Sequence, residues 1–183
     1  MKRVVIRADG SEYIGMGHVM RCLTLAGELE KAGVGVLFLS RNHSAGVARI
    51  ISDAGVALIS LPPALSPAED LDAAVRAARS FKAGAVICDG YFFDEAYFRG
   101  IRAAGLKLAV IDDRADRPMP ADLVINENVD ATVAMYSGLV GPEVKLLLGS
   151  KYSLVRKEFL DRRDIAQAAC EGAGRVAEEL KRL

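Results

Sequence analysis

The chain has no excess charge of either sign. Lys and Arg number 24, Asp and Glu also number 24, over 183 residues. No overall field therefore draws the surface to nucleic acid or an anionic membrane, and any bound anion must be gripped locally. No apolar run is long enough to span a bilayer, and Met1–Arg7 has no signal-peptide pattern, so a cytoplasmic protein is expected. Cysteine is scarce. Cys22, Cys88 and Cys170 are odd in number and never spaced as CxxC, which argues against a disulfide framework or zinc site and suits reduced thiols. Internal repeats and low-complexity tracts are missing. So are a GxGxxG fingerprint and the Lys-Ser/Thr of a P-loop, which weakens dinucleotide and Mg-ATP readings.

What remains is ordinary globular composition, 51% hydrophobic and 26% charged, in a chain of one-domain length. Up to residue 126, short apolar runs alternate with helical patterns. Val4–Ala8, Val34–Ser40, Val56–Leu61, Ala85–Asp89, Lys107–Ile111 and Leu123–Asn126 read as strands. Between them, helices are predicted over His18–Ala32, Ala45–Ala54, Leu71–Phe81 and Asp94–Ala104, with Gly33, Gly55 and Gly105 placed to end three of them. Beyond Gly138, Val144–Leu148 is a strand candidate, and Tyr152–Asp161 and Ile165–Leu183 are helical. In the last helix Ile165, Ala169, Gly172, Val176 and Leu180 form one apolar stripe.

Strands with little alternation, separated by helices, predict an α/β fold with a parallel sheet of six or seven strands covered on both faces. Right-handed crossovers then open all strand C-termini on one edge. Asp9, Arg41-Asn42-His43, Asp89-Gly90-Tyr91, Asp112-Asp113 and Asn126-Glu127-Asn128 collect there, and a ligand is expected at that edge.

The loop after the first strand is the most informative segment. In Ile14-Gly-Met-Gly-His18, Gly15 and Gly17 remove side chains where the backbone turns into a helix, so a ligand could approach free N–H groups. His18 falls in the first helical turn, where the helix dipole disfavours imidazolium and leaves a neutral proton acceptor. On this pattern alone a capping or packed histidine is the favoured reading.

Context adds to it. Arg7-Ala-Asp9 followed by Ile14-Gly-Met-Gly-His18-Val-Met-Arg21-Cys-Leu-Thr-Leu-Ala26 resembles the opening of the UDP-2,4-diacetamido-2,4,6-trideoxy-β-L-altropyranose hydrolases of pseudaminic-acid biosynthesis, relatives of the MurG-type GT-B glycosyltransferases. Cys88-Asp-Gly-Tyr91, Ile111-Asp-Asp113, Ile125-Asn-Glu-Asn128 and the segment from Leu148 to Phe159 match in the same order, over about residues 2–160. Spore-coat polysaccharide proteins share much of the pattern. The resemblance implies a Rossmann-like three-layer sheet, the N-terminal half of a GT-B fold. It also implies metal-independent hydrolysis of a UDP-sugar at the anomeric carbon, without a cofactor, and with His18 catalytic.

Asp9, Gly15, Gly17, Tyr91, Asn126 and Asn128 are the substrate-binding candidates, Tyr91 because the family match includes it. Asp9 would orient His18 or take a sugar hydroxyl, or merely cap its loop as an Asx turn. Tyr91 would lay its ring on the sugar, and Asn126 and Asn128 would bind acetamido groups or turn the chain. Asp89, Asp112 and Asp113 invite Mg²⁺, but the family motif calls for no metal and none is expected. Arg21 either reaches a phosphate or is salt-bridged, and His43 reads as a loop residue.

Where family members continue into a second, nucleotide-binding domain, this sequence has nothing similar. The expected organisation is a domain over residues 1–163, then a helix over 164–183 that resembles the terminal helix of GT-B proteins packing back on the first domain. The competing reading is an incomplete, non-catalytic half of a UDP-sugar-binding protein, needing a second domain or chain. A receiver-like signalling domain, suggested by Asp112-Asp113, would leave Gly-Met-Gly-His18 and Tyr91 without a purpose.

Overall fold

The computed structural model describes residues 2–11, 14–41, 44–155 and 166–183, and the side chains of 166–170 are not described. Seven strands, β1 (Arg3–Ala8), β2 (Gly35–Ser40), β3 (Ala57–Ser60), β4 (Ala85–Asp89), β5 (Lys107–Ile111), β6 (Leu123–Asn126) and β7 (Lys145–Leu148), form one sheet. Its order is β3-β2-β1-β4-β5-β6-β7 and every pairing is parallel. The order reverses between β1 and β4, which sit side by side with Ala8 opposite Asp89. A ligand crevice in such sheets forms at this reversal, outside the strand C-termini.

Strict alternation along the inner strands divides the core in two. Val4, Ile6, Phe38, Ile87, Ala109 and Ile125 point to the face covered by α1 (Gly17–Lys31), α2 (Ala45–Asp53) and α5 (Ala166–Arg182). Val5, Leu37, Val86, Val110 and Val124 point to the face covered by α3 (Pro67–Phe81) and α4 (Glu95–Ala103). Each fully buried branched or aliphatic side chain contributes about 1.5–3 kcal/mol, and both faces are lined with them.

The helices start and stop where local chemistry dictates. Ser66 caps α3 in a reciprocal box with Glu69, and Pro67 fills the first turn, so α3 starts four residues before the predicted Leu71. Asp94 caps α4 by accepting from the Tyr97 N–H at 2.8 Å. The predicted helix from Tyr152 is not seen at its start: Ser150–Tyr152 is a single 3-10 turn and 153–155 are not helical. The rest of that segment lies outside the described residues, as do Ile165 and the side chain of Ala169. Val176 and Leu180 of α5 are buried against the α1 side of the core, together with Ala173 and Ala177. Gly172 permits this docking, because a Cβ there would meet the Ser153 carbonyl oxygen at 2.3 Å.

Candidate functional site

At the β1/β4 reversal, one face of α1 presents three donors to a single carboxylate. His18, Arg21 and Cys22 are spaced i, i+3, i+4, so their side chains stand together on the helix surface. All three address Asp89 at the end of β4. His18 Nδ1 lies 2.7 Å from Oδ1, Arg21 reaches Oδ1 through Nη2 and Oδ2 through Nε, each at 2.6 Å, and Cys22 Sγ donates to Oδ2 at 3.4 Å. The Asp89 side chain is wholly buried, whereas His18 keeps 11% exposure and Arg21 15%.

Burial alone raises the pKa of Asp89, but the hydrogen bonds and charges of Arg21 and His18 outweigh it and hold the carboxyl below its usual range. An ionised carboxylate accepts only, so Nδ1–H of His18 is the donor in this contact and Nε2 is the ring nitrogen left outside it. That nitrogen has no hydrogen-bond partner among the described residues. Burial also raises the Cys22 thiol, and the Asp89 carboxylate adds to this, so Cys22 stays a protonated donor.

The loop carrying His18 is closed by reciprocal backbone bonds between Ser11 and Gly15, and Gly15 sits at φ 79°, a region glycine enters at no steric cost. Gly17 opens α1, and a Cβ there would meet nothing within 4 Å, so the approach to the helix start is open. Gly10 is constrained differently: a Cβ would sit 2.6 Å from Val19 Cγ2.

Tyr91 follows β4 and is 52% exposed. Its ring stands edge-on to His18, 4.9 Å between centroids, and its hydroxyl donates to Asp113 at 2.8 Å. Burial and the Asp113 carboxylate raise its pKa, keeping it a phenol. Arg21 extends Nη1 to within 3.6 Å of both Asp113 and Glu127, linking α1 to the residues after β5 and β6. Asn128 is exposed and donates to the Asp113 carbonyl oxygen at 3.3 Å. Asn126 is buried. Its Nδ2 donates to the Tyr136 hydroxyl and its Oδ1 accepts the Asn128 N–H, so both ends of the amide are engaged within the chain.

Asp9 differs from its expected role as the partner of His18. It is buried and accepts from Arg7 and Arg41 on the β2 side of the reversal, and the carboxylate on His18 is Asp89. Arg21 is salt-bridged, one of the two expected alternatives. His43 lies outside the described residues. Among the described residues no group of three His, Cys, Asp or Glu side chains is arranged to hold a metal ion.

No protein-family model matches the chain. It is 27% identical over 158 residues to the UDP-2,4-diacetamido-2,4,6-trideoxy-beta-L-altropyranose hydrolase of Campylobacter jejuni, covering 86% of this chain and 53% of that protein. It is 28% identical over 169 residues to the uncharacterized protein MJ1062 of Methanocaldococcus jannaschii, covering 86% of this chain and 31% of that protein. The chain thus spans about half, or less, of the curated relatives it matches. Among solved structures, Acinetobacter baumannii MurG superposes with a TM-score of 0.60 at 16% identity, covering 90% of this chain and 50% of that one. A Listeria monocytogenes protein assigned as a UDP-N-acetylglucosamine 2-epimerase gives 0.55 at 14% identity, covering 77% and 43%. The fold is one Rossmann-like domain of the MurG, GT-B-like kind. The sequence relationship to the named hydrolase is distant.

Proposed function

We propose that this chain carries the catalytic half-site of a UDP-sugar hydrolase acting at the anomeric carbon, with a diacetamido-trideoxy sugar of pseudaminic-acid biosynthesis as the glycosyl group. The observation that carries the reading is the His18–Asp89 couple at the β1/β4 reversal, with Nε2 unpartnered among the described residues. The distant likeness to a hydrolase of that name supports it.

In the proposed reaction a water oxygen bonds to C1 as the C1–O bond to the diphosphate breaks. His18 Nε2 takes the water proton, and UDP departs with the bonding pair from the opposite face, inverting C1. The imidazolium so formed is stabilised by Asp89. A positioned base of this kind contributes about a hundred- to ten-thousand-fold, and UDP leaves without a strong acid. Tyr91 supplies a ring face to the sugar, with Asn128 and the backbone at Gly15 and Gly17 lining its approach. Asp9 and Asn126, both buried and engaged within the chain, support these loops from behind.

The proposed organisation is a catalytic domain over residues 1–163 closed by the α5 segment, with the nucleotide gripped chiefly by a second domain or chain. In the assembled protein, His18→Ala should abolish UDP release from the UDP-sugar while leaving the unfolding transition in place. Calorimetric titration of this chain with UDP should show weak binding or none. Full turnover by the alanine variant overturns the role of His18, and tight UDP binding here moves the nucleotide to this half.

A further inference from the structure

We propose that Arg21 is a positioning residue for His18, cancelling the charge of Asp89 so that the imidazole stays neutral while the same carboxylate still fixes its tautomer. The inference rests on the reading of His18 as the base and deepens it.

A carboxylate beside an imidazole does two opposed things. It accepts the Nδ1–H and so directs the lone pair to Nε2, the useful tautomer. It also attracts a second proton onto the ring, because imidazolium beside carboxylate is a favoured ion pair, and imidazolium is no base. A cation on the same carboxylate suppresses the second effect without removing the first. Arg21 meets that requirement: its planar fork takes one oxygen with Nη2 and the other with Nε, both at 2.6 Å, while His18 keeps its 2.7 Å contact to Oδ1. The fork also sets Nη2 3.1 Å from His18 Nδ1, so a positive charge lies against the ring and opposes its protonation.

Two further contacts hold the arginine there. Its Nη1 is anchored toward Asp113 and Glu127 at 3.6 Å, from the ends of β5 and β6. Among the described residues, the groups surrounding His18 are therefore Arg21 and Cys22 from its own helix, Asp89 and Tyr91 from the end of β4, and Asp113 and Glu127 behind the arginine. Cys22 cannot substitute, since a buried neutral thiol is a weak donor without charge.

Removing the cation has two outcomes for Asp89, and both disable Nε2. If the buried carboxylate takes a proton, its hydroxyl donates to Nδ1 and the ring proton moves to Nε2. If it stays ionised, it draws a second proton onto the ring. The neutral form with a bare Nε2 is lost either way.

The test uses the full chain with its histidines labelled in nitrogen-15. Only two histidines are present, so His43→Gln assigns the spectrum. At neutral pH, His18 of the unaltered protein is expected to show a protonated Nδ1 and an unprotonated Nε2. Arg21→Met, and Arg21→Gln as the variant that keeps a polar contact without charge, should each lower the ratio of that form to the other protonation states about tenfold, the response to losing one charged partner. Arg21→Lys, which keeps the charge, should retain most of it. A wild-type pattern in the folded Met or Gln variant overturns the proposal, as does an Arg21→Lys protein as altered as Arg21→Met. Because the readout needs no turnover, full hydrolysis by His18→Ala in the assembled protein, with these spectra intact, would remove His18 as base without touching the role of Arg21.

Discussion

Arg7 and Asp70 are 63 positions apart in sequence, yet both side chains are fully buried and joined by two hydrogen bonds, Nε to Oδ1 at 3.0 Å and Nη2 to Oδ2 at 2.7 Å. The other side of the same guanidinium meets Asp9 at 2.5 and 3.1 Å, and the Tyr97 hydroxyl donates to Asp70 at 2.9 Å. This network pins the end of β1 to the start of α3 and frames the loop that carries His18. Asp70→Ala should therefore cost about 3–5 kcal/mol, because it strands part of a buried charge. Urea unfolding measures it, and a loss under 1 kcal/mol would mean that Asp9 alone satisfies the arginine.

Two glycines of α5 should respond in opposite directions. At Gly172 a Cβ would press on Ser153 backbone atoms at 2.3 and 2.6 Å, so Gly172→Ala should destabilise by about 1–3 kcal/mol. At Gly174 the nearest foreign atom is a Glu28 carboxylate oxygen at 3.9 Å, and alanine there should gain up to about 1 kcal/mol of helix propensity. Melting temperatures of the pair decide whether α5 is docked as described. Equal shifts would argue against it.

Asp70, Asp89 and Asp122 share one pH signature. Burial raises each carboxyl, but Arg7 for Asp70, Arg21 and His18 for Asp89, and Lys107 for Asp122 more than reverse this and hold all three below their usual range. A carboxyl depressed in the folded state stabilises the fold above its unfolded value of roughly 3.9, and that contribution is lost as pH falls through the folded value. Stability should be nearly flat from neutrality to about pH 5 and fall steeply below about pH 4. Asp89→Asn should make the acid limb shallower in urea midpoints taken as a function of pH, and an unchanged limb would show that Asp89 is not depressed.

Burial raises the thiols of Cys22 and Cys88 alike, and both cysteines are unbridged. A disulfide reagent at neutral pH should leave these two unreacted in the native protein and label them on unfolding. Rapid labelling of Cys22 in the folded state would mean that the α1–β4 contact opens readily. Cys170 has no described side chain.

Much of the sheet is legible in the chain because most inner strands are apolar runs with a polar residue at or just after their end, the buried Arg7 inside β1 being the exception. The stop of α1 at Gly33 and the start near His18 follow from backbone chemistry alone. The partnership of His18 with Asp89 is different. It depends on β4, not β3, lying beside β1, a choice made by crossovers that local pattern does not encode, and for that reason Asp9, nearer in sequence, looked the better partner. The helical i, i+3, i+4 spacing of His18, Arg21 and Cys22 was available as a signal that all three face one group. Ser66-Pro-Ala-Glu69 likewise carries the capping signature that sets the start of α3, although helical periodicity first shows at Leu71.

The reversal of strand order between β1 and β4 also governs when the site can come into being. His18 and Asp89 are separated by 71 positions, and the β2–β3 unit must be spanned before their strands can pair. Pairings of such long sequence separation form late and slowly, after their loop-closure entropy has been met. The half of the sheet made first, β1 to β3, contains the histidine without its carboxylate. A growing or partly folded chain thus holds His18 away from Asp89, and the contact proposed to serve the reaction assembles only as the two halves of the sheet join.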